Sequence, residues 1–430
     1  MKDASPTTLI DVQLLRIGMY IHLDMGWMSH PFPLSSFKIV SADQIATIRG
    51  LGKPRVRWSP ERSDAPAPPA APADGLPKPA DATAADAAPA ESPQAAKARI
   101  AREALAAQRA ALQLCERQFA EATQACRSMT DLVSAQPTVA RDQAQALAGA
   151  FVTKMLGPED MCIRLLTDAA GDKASMHAVN VAVISLLMGR TFGLPESDMV
   201  DLGVGALLHD IGKTEIPERV RHKEDGFTAA ENSLYQEHVA HGVSLARKMG
   251  LQPGATMVIA QHHEHADGSG FPLKLNSDRM TTGARIVSLI NRYDNMCNPT
   301  IPSRALTPHE ALSLLFAQGK NRYDTAILGA FIRMMGVYPP GSTVQLTDDR
   351  FGVVVSVNSS RSLKPRVVVH DPKVPREEAL LLDLETQGHL GIRRSLKPQQ
   401  LPPETLKYLA PRTRVTYFFE PDAVEQEAVA

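Results

Sequence analysis

Polar and apolar positions follow a helical period over most of this chain. Ala101, Leu105, Gln108, Leu112, Cys115, Phe119, Ala122, Cys126, Met129 and Val133 recur at alternating four- and three-residue steps. That spacing predicts one long helix from about Ala95 to Ser134. Its stripe faces either the rest of its own chain or a second copy in a dimerising coiled coil. The alanines and the single glutamine on the stripe leave both readings open. A second amphipathic helix is predicted over roughly Gln143 to Leu156, and residues 160–338 read as helices joined by short loops. From Pro339 the period shortens. Ser342 to Leu346, Gly352 to Val357 and Arg366 to Val369 alternate or run β-branched, which predicts two to four strands. A short helix after Pro402 and a strand-like Val415 to Phe419 end the pattern. Near the start, Leu14, Ile17, Met19, Tyr20 and Ile21 precede a helix start at Ser41-Ala42-Asp43-Gln44 and a strand at Arg55 to Trp58.

These patterns imply a mainly α protein. The expected parts are a small mixed α/β domain (9–60), an Ala/Pro-rich disordered linker (61–94), a helical connector (95–160), an all-α bundle (161–338) and a small β-rich unit (339–420). The linker is rich in Ala, Pro and Asp and poor in aromatic and β-branched residues, so it cannot bury enough to order itself. A chain of 430 residues is too long for one ordinary core. A net charge of −1 gives no basic surplus for wholesale nucleic-acid binding, so no DNA partner is expected. The four cysteines form no CxxC pair, which argues against a zinc finger or redox dithiol and fits a reduced compartment. The N-terminus is polar, and no run approaches the ~18 apolar residues of a membrane span. A cytoplasmic protein is expected.

Chemistry concentrates in one stretch. Eight of the 13 histidines fall between His177 and His265. His177 shares a helical face with Val181, Ile184 and Met188, where a lone histidine is usually a core residue. His209-Asp210-Ile211-Gly212-Lys213 ends an apolar helix that begins near Met199. Adjacent helical positions diverge by about 100°, so His209 and Asp210 can face two metals or share one. Lys213 follows one turn later and could reach a phosphate oxygen. Thr228-Ala229-Ala230-Glu231 is a capping box, which makes Glu231 a helix-start residue. His238 lies on the core face with Tyr235, Gly242, Leu245 and Met249, while His241 is offset toward the surface. His262-His263-Glu264 closes a helix begun near Pro253, and Asp267-Gly268-Ser269-Gly270-Phe271-Pro272 forms a tight loop beside it. Thr281 or Thr282 caps the next helix, whose face carries Ala284, Val287, Asn291 and Asp294. Arg285 is either a phosphate contact or one half of a salt bridge. Imidazole and carboxylate in this density can hold divalent metals and activate water. His22 and His30 have no acidic residues in step with them and read as structural.

In order and spacing these residues resemble the HD-GYP family, a branch of the HD superfamily of metal-dependent phosphohydrolases. The resemblance covers about residues 170–338. Residues 14–40, with Gly18-Met19, Trp27 and His30-Pro31-Phe32, are similar to the uncharacterised domain that often precedes such modules. The resemblance implies an all-α HD-type bundle that hydrolyses cyclic di-GMP to pGpG or GMP. It implies metal ligation by His177, His209, Asp210, His238, His262 and His263, with Asp210 bridging and Asn291 at the late ligand position. Asp210 and Lys213 would carry catalysis. Lys213, Arg285, Gly270, Phe271 and Pro272 would meet substrate. The cofactor implied is a pair of divalent ions, iron or manganese. The Asp267–Pro272 loop would be the contact for diguanylate cyclase (GGDEF) domains.

Four departures from the family pattern stand out. Asn291 replaces an aspartate and brings no charge. Lys173 stands where trinuclear members place a glutamate, which points to two metals rather than three. Phe271 replaces a tyrosine, and His265 an arginine. The alternative reading is therefore a catalytically weakened module that binds cyclic di-GMP or a diguanylate cyclase and signals through the 95–134 helix. Hydrolysis of another nucleotide fits the metal ligands but not the 267–272 loop.

Overall fold

Local signals start and stop the elements of this chain where a computed structural model places them. The structure describes residues 7–422 except 26–29, 31, 33–35, 65–92, 158–159, 167–170, 222, 224–225, 320 and 413. Trp27, Pro31 and most of the expected linker therefore lie outside the described residues. Within that linker, Pro60–Arg62 forms a 3-10 turn and Lys38 pairs with Asp64 at 2.6 Å.

The chain divides into two units, 1–103 and 104–430. The first holds four short strands, β1 (Thr8–Asp11), β2 (Tyr20–His22), β3 (Ser36–Lys38) and β4 (Arg55–Ser59), in the antiparallel order β1-β4-β2-β3. Helix α1 (Ala42–Gly50) begins where Ser41 accepts from the Gln44 N–H, as its sequence predicts. Ile21, Leu23, Ile39, Ile48 and Val56 form the core of this unit. His22 bonds to Ser36 at 2.8 Å, a structural role.

The second unit opens within α2 (Pro93–Leu132), and α3 (Pro137–Met155) follows it, with Pro137 at the first turn of α3 where its missing N–H costs nothing. The α2 stripe is buried from Cys115 to Val133 and only partly covered at Ala101, Leu105, Gln108 and Leu112. Phe119 and Phe151 both meet Phe418 edge-on at about 6 Å. Burying each such ring contributes about 1.5–3 kcal/mol. This half of the stripe thus packs on its own chain.

The helical layer comprises α4 (Lys173–Thr191), α5 (Glu196–Leu208), α6 (Glu218–Arg221), α7 (Ala229–Met249), α8 (Pro253–Gln261), α9 (Thr282–Cys297), α10 (Pro308–Gln318) and α11 (Thr325–Met335). Helix α4 packs on α5 and α9, α5 on α3 and α8, and α7 on α8. Against it lies a seven-stranded antiparallel sheet built mainly from the C-terminus. One strand, β5 (Met161–Leu165), comes from before the helices. The others are β6 (Thr343–Leu346), β7 (Phe351–Asn358), β8 (Arg366–Val369), β9 (Leu381–Asp383), β10 (Ile392–Leu396) and β11 (Tyr417–Pro421), with α12 (Pro403–Leu409) between the last two. Strand β7 pairs with β5, β6 and β8, and β11 pairs with β5.

Two expectations need correction. Residues 160–338 are not wholly helical, because β5 is a strand. All five of its residues are buried, so it lacks the alternation that marks a half-exposed strand. The C-terminal part also carries more than four strands. Strands β9 and β10 are short, and the latter reads Ile-Arg-Arg-Ser-Leu, too polar to register as β from sequence. The chain is mainly α as expected, and among the described residues no helix is long and apolar enough to cross a membrane.

Candidate metal centre

Four separate elements deliver the histidines to one place. His177 sits in the first turns of α4, whose start is fixed by Asp172 accepting from the Ala174 and Ser175 N–H groups. Helix α5 is apolar to its end at Leu208. The chain then tightens into a 3-10 turn, Ile211–Glu215, that carries Lys213. Gly212 permits this turn to lie on α7. A Cβ there would fall 1.9 Å from the His238 carbonyl oxygen and 2.4 Å from the Gly242 nitrogen. Only hydrogen fits, and the backbone approach brings Asp210 against His238. Helix α7 opens with the predicted Thr228/Glu231 capping box and presents His238 inward, fully buried. Helix α8 stops at Gln261, with His262 as its C-cap residue and His263 just beyond.

The ligand atoms form two groups that share one carboxylate. His238, His262 and His263 gather around Asp210 on one side, and His177 and His209 on the other. Asp210 Oδ1 is 3.6 Å from Nε2 of both His238 and His262. Its Oδ2 is 3.5 Å from His209 Nε2 and 3.9 Å from His177 Nε2. Lys213 donates to the same Oδ2 at 2.6 Å.

The hydrogen bonds determine which nitrogen of each ring carries its proton. Nδ1 of His209, His238 and His262 lies 2.6–2.8 Å from the carbonyls of Ala206, Tyr235 and Ile259. A carbonyl only accepts, so each Nδ1 donates and each Nε2 of a neutral ring keeps a lone pair. His177 Nδ1 is held likewise by the Asp294 carboxylate at 2.6 Å. The Nε2 atoms then face one another, at 3.3 Å between His238 and His262 and 3.2 Å between His177 and His209. Acceptor against acceptor at this range is repulsive. Asp210 Oδ1 and His263 Nε2 are in addition buried with no hydrogen-bond partner among the described residues. Orphaned buried acceptors are costly and rare. Divalent cation binding there would convert these repulsions into ligation, and a set of imidazoles and a carboxylate suits iron, manganese or zinc. The residues therefore fit a metal centre.

Electrostatics point the same way. Burial pushes His209 and His263 below the ordinary imidazole value and lowers His238 to about 3. Burial alone would raise Asp210, but Lys213 and the imidazoles hold it well below the usual carboxylate range. Burial alone would lower Lys213, but Asp210 reverses that and raises it. Neutral imidazoles and an ionised carboxylate are the ligand-competent states.

The 267–272 loop is locked to the ligand-bearing backbone. Glu264 is completely buried and accepts from the Leu273 N–H at 2.6 Å and the Leu275 N–H at 2.8 Å. Gly270 lies so close to residues 263–265 that a Cβ would sit 2.5 Å from their backbone. Phe271 stacks on His263, with ring centroids 4.5 Å apart. His265 bonds to Ser269 at 3.1 Å, and Pro272 is exposed at the rim. Glu264, Tyr235 and Asp294 carry roles that their sequence positions did not assign. Tyr235 places its ring 5.4 Å from Lys213 Nζ and packs on His238. All three share a helical face or a motif with a ligand, which was the only available signal.

Other candidates are engaged elsewhere. Arg285 binds Asp324 at 2.6 Å and also Ser277 and Thr282, as the salt-bridge reading expects. Asn291 is buried and its Oδ1 accepts from Asn295 at 2.6 Å. Lys173 hydrogen-bonds to Thr300. His241 is half-exposed near Glu237. Thr281 caps α9 as expected.

Residues 160–327 match the HD domain family, and residues 7–144 match a domain of unknown function, DUF3391. Among curated proteins, the chain is 28% identical over 197 residues to a cyclic di-GMP phosphodiesterase of Pseudomonas aeruginosa, covering 45% of this chain and 47% of that protein. It is 22% identical over 229 residues to a cyclic di-GMP phosphodiesterase of Borreliella burgdorferi, covering 53% and 60%. It is 32% identical over 129 residues to a 3'3'-cGAMP-specific phosphodiesterase of Vibrio cholerae, covering 30% and 25%. The chain thus spans less than two thirds of the length of each of these relatives.

Proposed function

This chain carries an HD domain at residues 160–327, preceded by a DUF3391 domain, and from that premise we propose that it is a metal-dependent phosphodiesterase of the HD-GYP type. Its substrate is cyclic di-GMP, cleaved to pGpG or GMP in bacterial second-messenger signalling. One observation carries the reading. Asp210 Oδ1 is a buried carboxylate oxygen without a hydrogen-bond partner among the described residues, facing two imidazole nitrogens at 3.6 Å that themselves stand 3.3 Å apart. The names of relatives in two bacterial genera supply the substrate class.

In this reading His238, His262, His263 and Asp210 would hold one divalent ion, and His177, His209 and the shared Asp210 would hold the other. Asn291 contributes a neutral oxygen at most. When bound, iron or manganese supplies a Lewis acid for the phosphoryl oxygens and a lowered pKa for water. Lys213 stays protonated through its pair with Asp210 and offers a fixed positive charge to a phosphate oxygen. The backbone carbonyls of Ala206, Tyr235 and Ile259 keep the imidazoles from rotating. Gly270, Phe271 and Pro272 form one wall for the substrate, and the same loop is the proposed contact for diguanylate cyclase domains.

The test is metal analysis of the purified full-length protein alongside hydrolysis assays. About two iron or manganese ions per chain, with hydrolysis of cyclic di-GMP that EDTA abolishes, is the expected result. Faster turnover of 3'3'-cGAMP would reassign the substrate. Metal-loaded protein that hydrolyses neither dinucleotide would leave only the binding role.

A further inference from the structure

The last strand of the sheet reaches the histidine cluster through two side-chain amides. Asn180 lies three residues after His177 on α4 and is buried. Its Nδ2 donates to Asp294 Oδ1 at 2.9 Å and to the Val415 carbonyl at 3.0 Å. Its Oδ1 accepts from the Tyr417 N–H at 2.9 Å. Asn298, the C-cap residue of α9, repeats the arrangement from the other helix. Its Nδ2 donates to Asp294 Oδ1 at 2.9 Å and to the Val415 carbonyl at 2.8 Å, and its Oδ1 accepts from the Val415 N–H at 2.8 Å. Each amide thus uses both of its N–H groups and its oxygen. Each spends one N–H on Asp294 and its remaining capacity on the backbone of residues 415–417.

Asp294 is consequently held from two sides. With Oδ1 fixed by both amides, its Oδ2 is turned to His177 Nδ1 at 2.6 Å. A carboxylate in that position fixes the proton on Nδ1 and aims the Nε2 lone pair at the shared site. Residues 415–417 are themselves anchored, since β11 runs antiparallel to the buried β5 and the Leu166 N–H donates to the Thr416 carbonyl. This support lies well beyond residue 327, where the HD domain match ends.

We propose that Asp294 is a positioning residue for His177 and that residues 415–417 belong to the support of the metal centre. Metal affinity on the His177–His209 side then depends on a strand outside the helical bundle. The proposal rests on the metal-centre reading above. Asp294 touches no substrate in this account and acts only through His177.

The experiment uses full-length protein titrated calorimetrically with Mn2+, together with thermal unfolding after EDTA treatment. Asp294→Asn should weaken Mn2+ binding at one site about 10–100-fold while the other site keeps its affinity. Asn298→Ala, which contacts no metal ligand, should weaken the same site several-fold while metal-free melting stays within a few degrees of wild type. Wild-type Mn2+ affinity at both sites in Asp294→Asn would overturn the proposal. So would an Asn298→Ala protein that melts earlier yet binds Mn2+ normally. If Asp294→Asn fails to fold, the Asn298→Ala titration decides. Failure of the wild-type protein to bind Mn2+ at all is a separate result, and it would sink the metal-centre reading itself.

Discussion

Asp210 and Asp422 are both carboxylates set into the larger unit, and their surroundings differ in one respect. Asp422 is saturated. Arg366 and the Cys162 thiol reach its Oδ1, at 2.7 and 3.4 Å, and Asn358 and Arg361 reach its Oδ2, at 2.6 and 3.0 Å. Every partner is a donor, so the cluster is complete and closes the sheet around β5, β7 and β8. Among the described residues Asp210 has one donor, Lys213, and an Oδ1 that faces imidazole acceptors. A buried charge whose partners are all present is architecture. One whose neighbours repel it and one another is built around something the chain does not supply.

The comparison can be broken at either end. The largest effect is expected from Asp210→Asn, which removes the shared ligand. Mn2+ affinity and hydrolysis of cyclic di-GMP should each fall by at least about 100-fold while the metal-free protein stays folded. Retained metal uptake by calorimetry would contradict the contrast. Asp422→Ala should do the reverse. Leaving Asn358 and Cys162 without their acceptor and Arg366 with Asp383 alone should cost about 1–3 kcal/mol in urea unfolding, with metal stoichiometry of the folded fraction unchanged. Asn291→Asp is the next step down. Restoring an anionic group at position 291 should raise kcat/KM for cyclic di-GMP roughly tenfold. No change would mean that the amide bonded to Asn295 already serves. The smallest effect lies in acid. Burial opposes ionisation of Asp422, but Arg366 and Asn358 hold it below the ordinary value of 3.8. Its contribution should therefore be intact above that value and be lost as pH falls through the lower folded-state value. Asp422→Asn should flatten the acid limb of the unfolding curve at that point. An unchanged limb would show that Asp422 is not the titrating group.

The two clusters also differed in how far the sequence revealed them. The histidines of the metal centre follow short motifs on amphipathic helices, so His177, His209-Asp210, His238 and His262-His263 could be read as a group before any fold was known. Asp422 lies past the final strand, and its partners Asn358, Arg361, Arg366 and Cys162 are scattered over more than two hundred positions. Only the sheet pairing brings them together. Strand β5 was invisible for a related reason, because full burial erased its period. Asp294 was placed on the right helical face, yet nothing local indicated that Asn180, Asn298 and a distant strand would fasten it. Arg285 had two equal readings, and its partner in the salt-bridge one, Asp324 at the N-cap of α11, lies too far along the chain to be picked out locally.

The clamp made by Glu264 has a consequence for selectivity. Its carboxylate fastens the backbone at Leu273 and Leu275 to the residue that directly follows His263. The loop that bears Phe271 cannot swing without dragging the His263 imidazole along. That side behaves as a jaw cast in one piece with the histidine pair. If the proposed substrate binds beside this loop, one of different girth would have to find its clearance along some other edge.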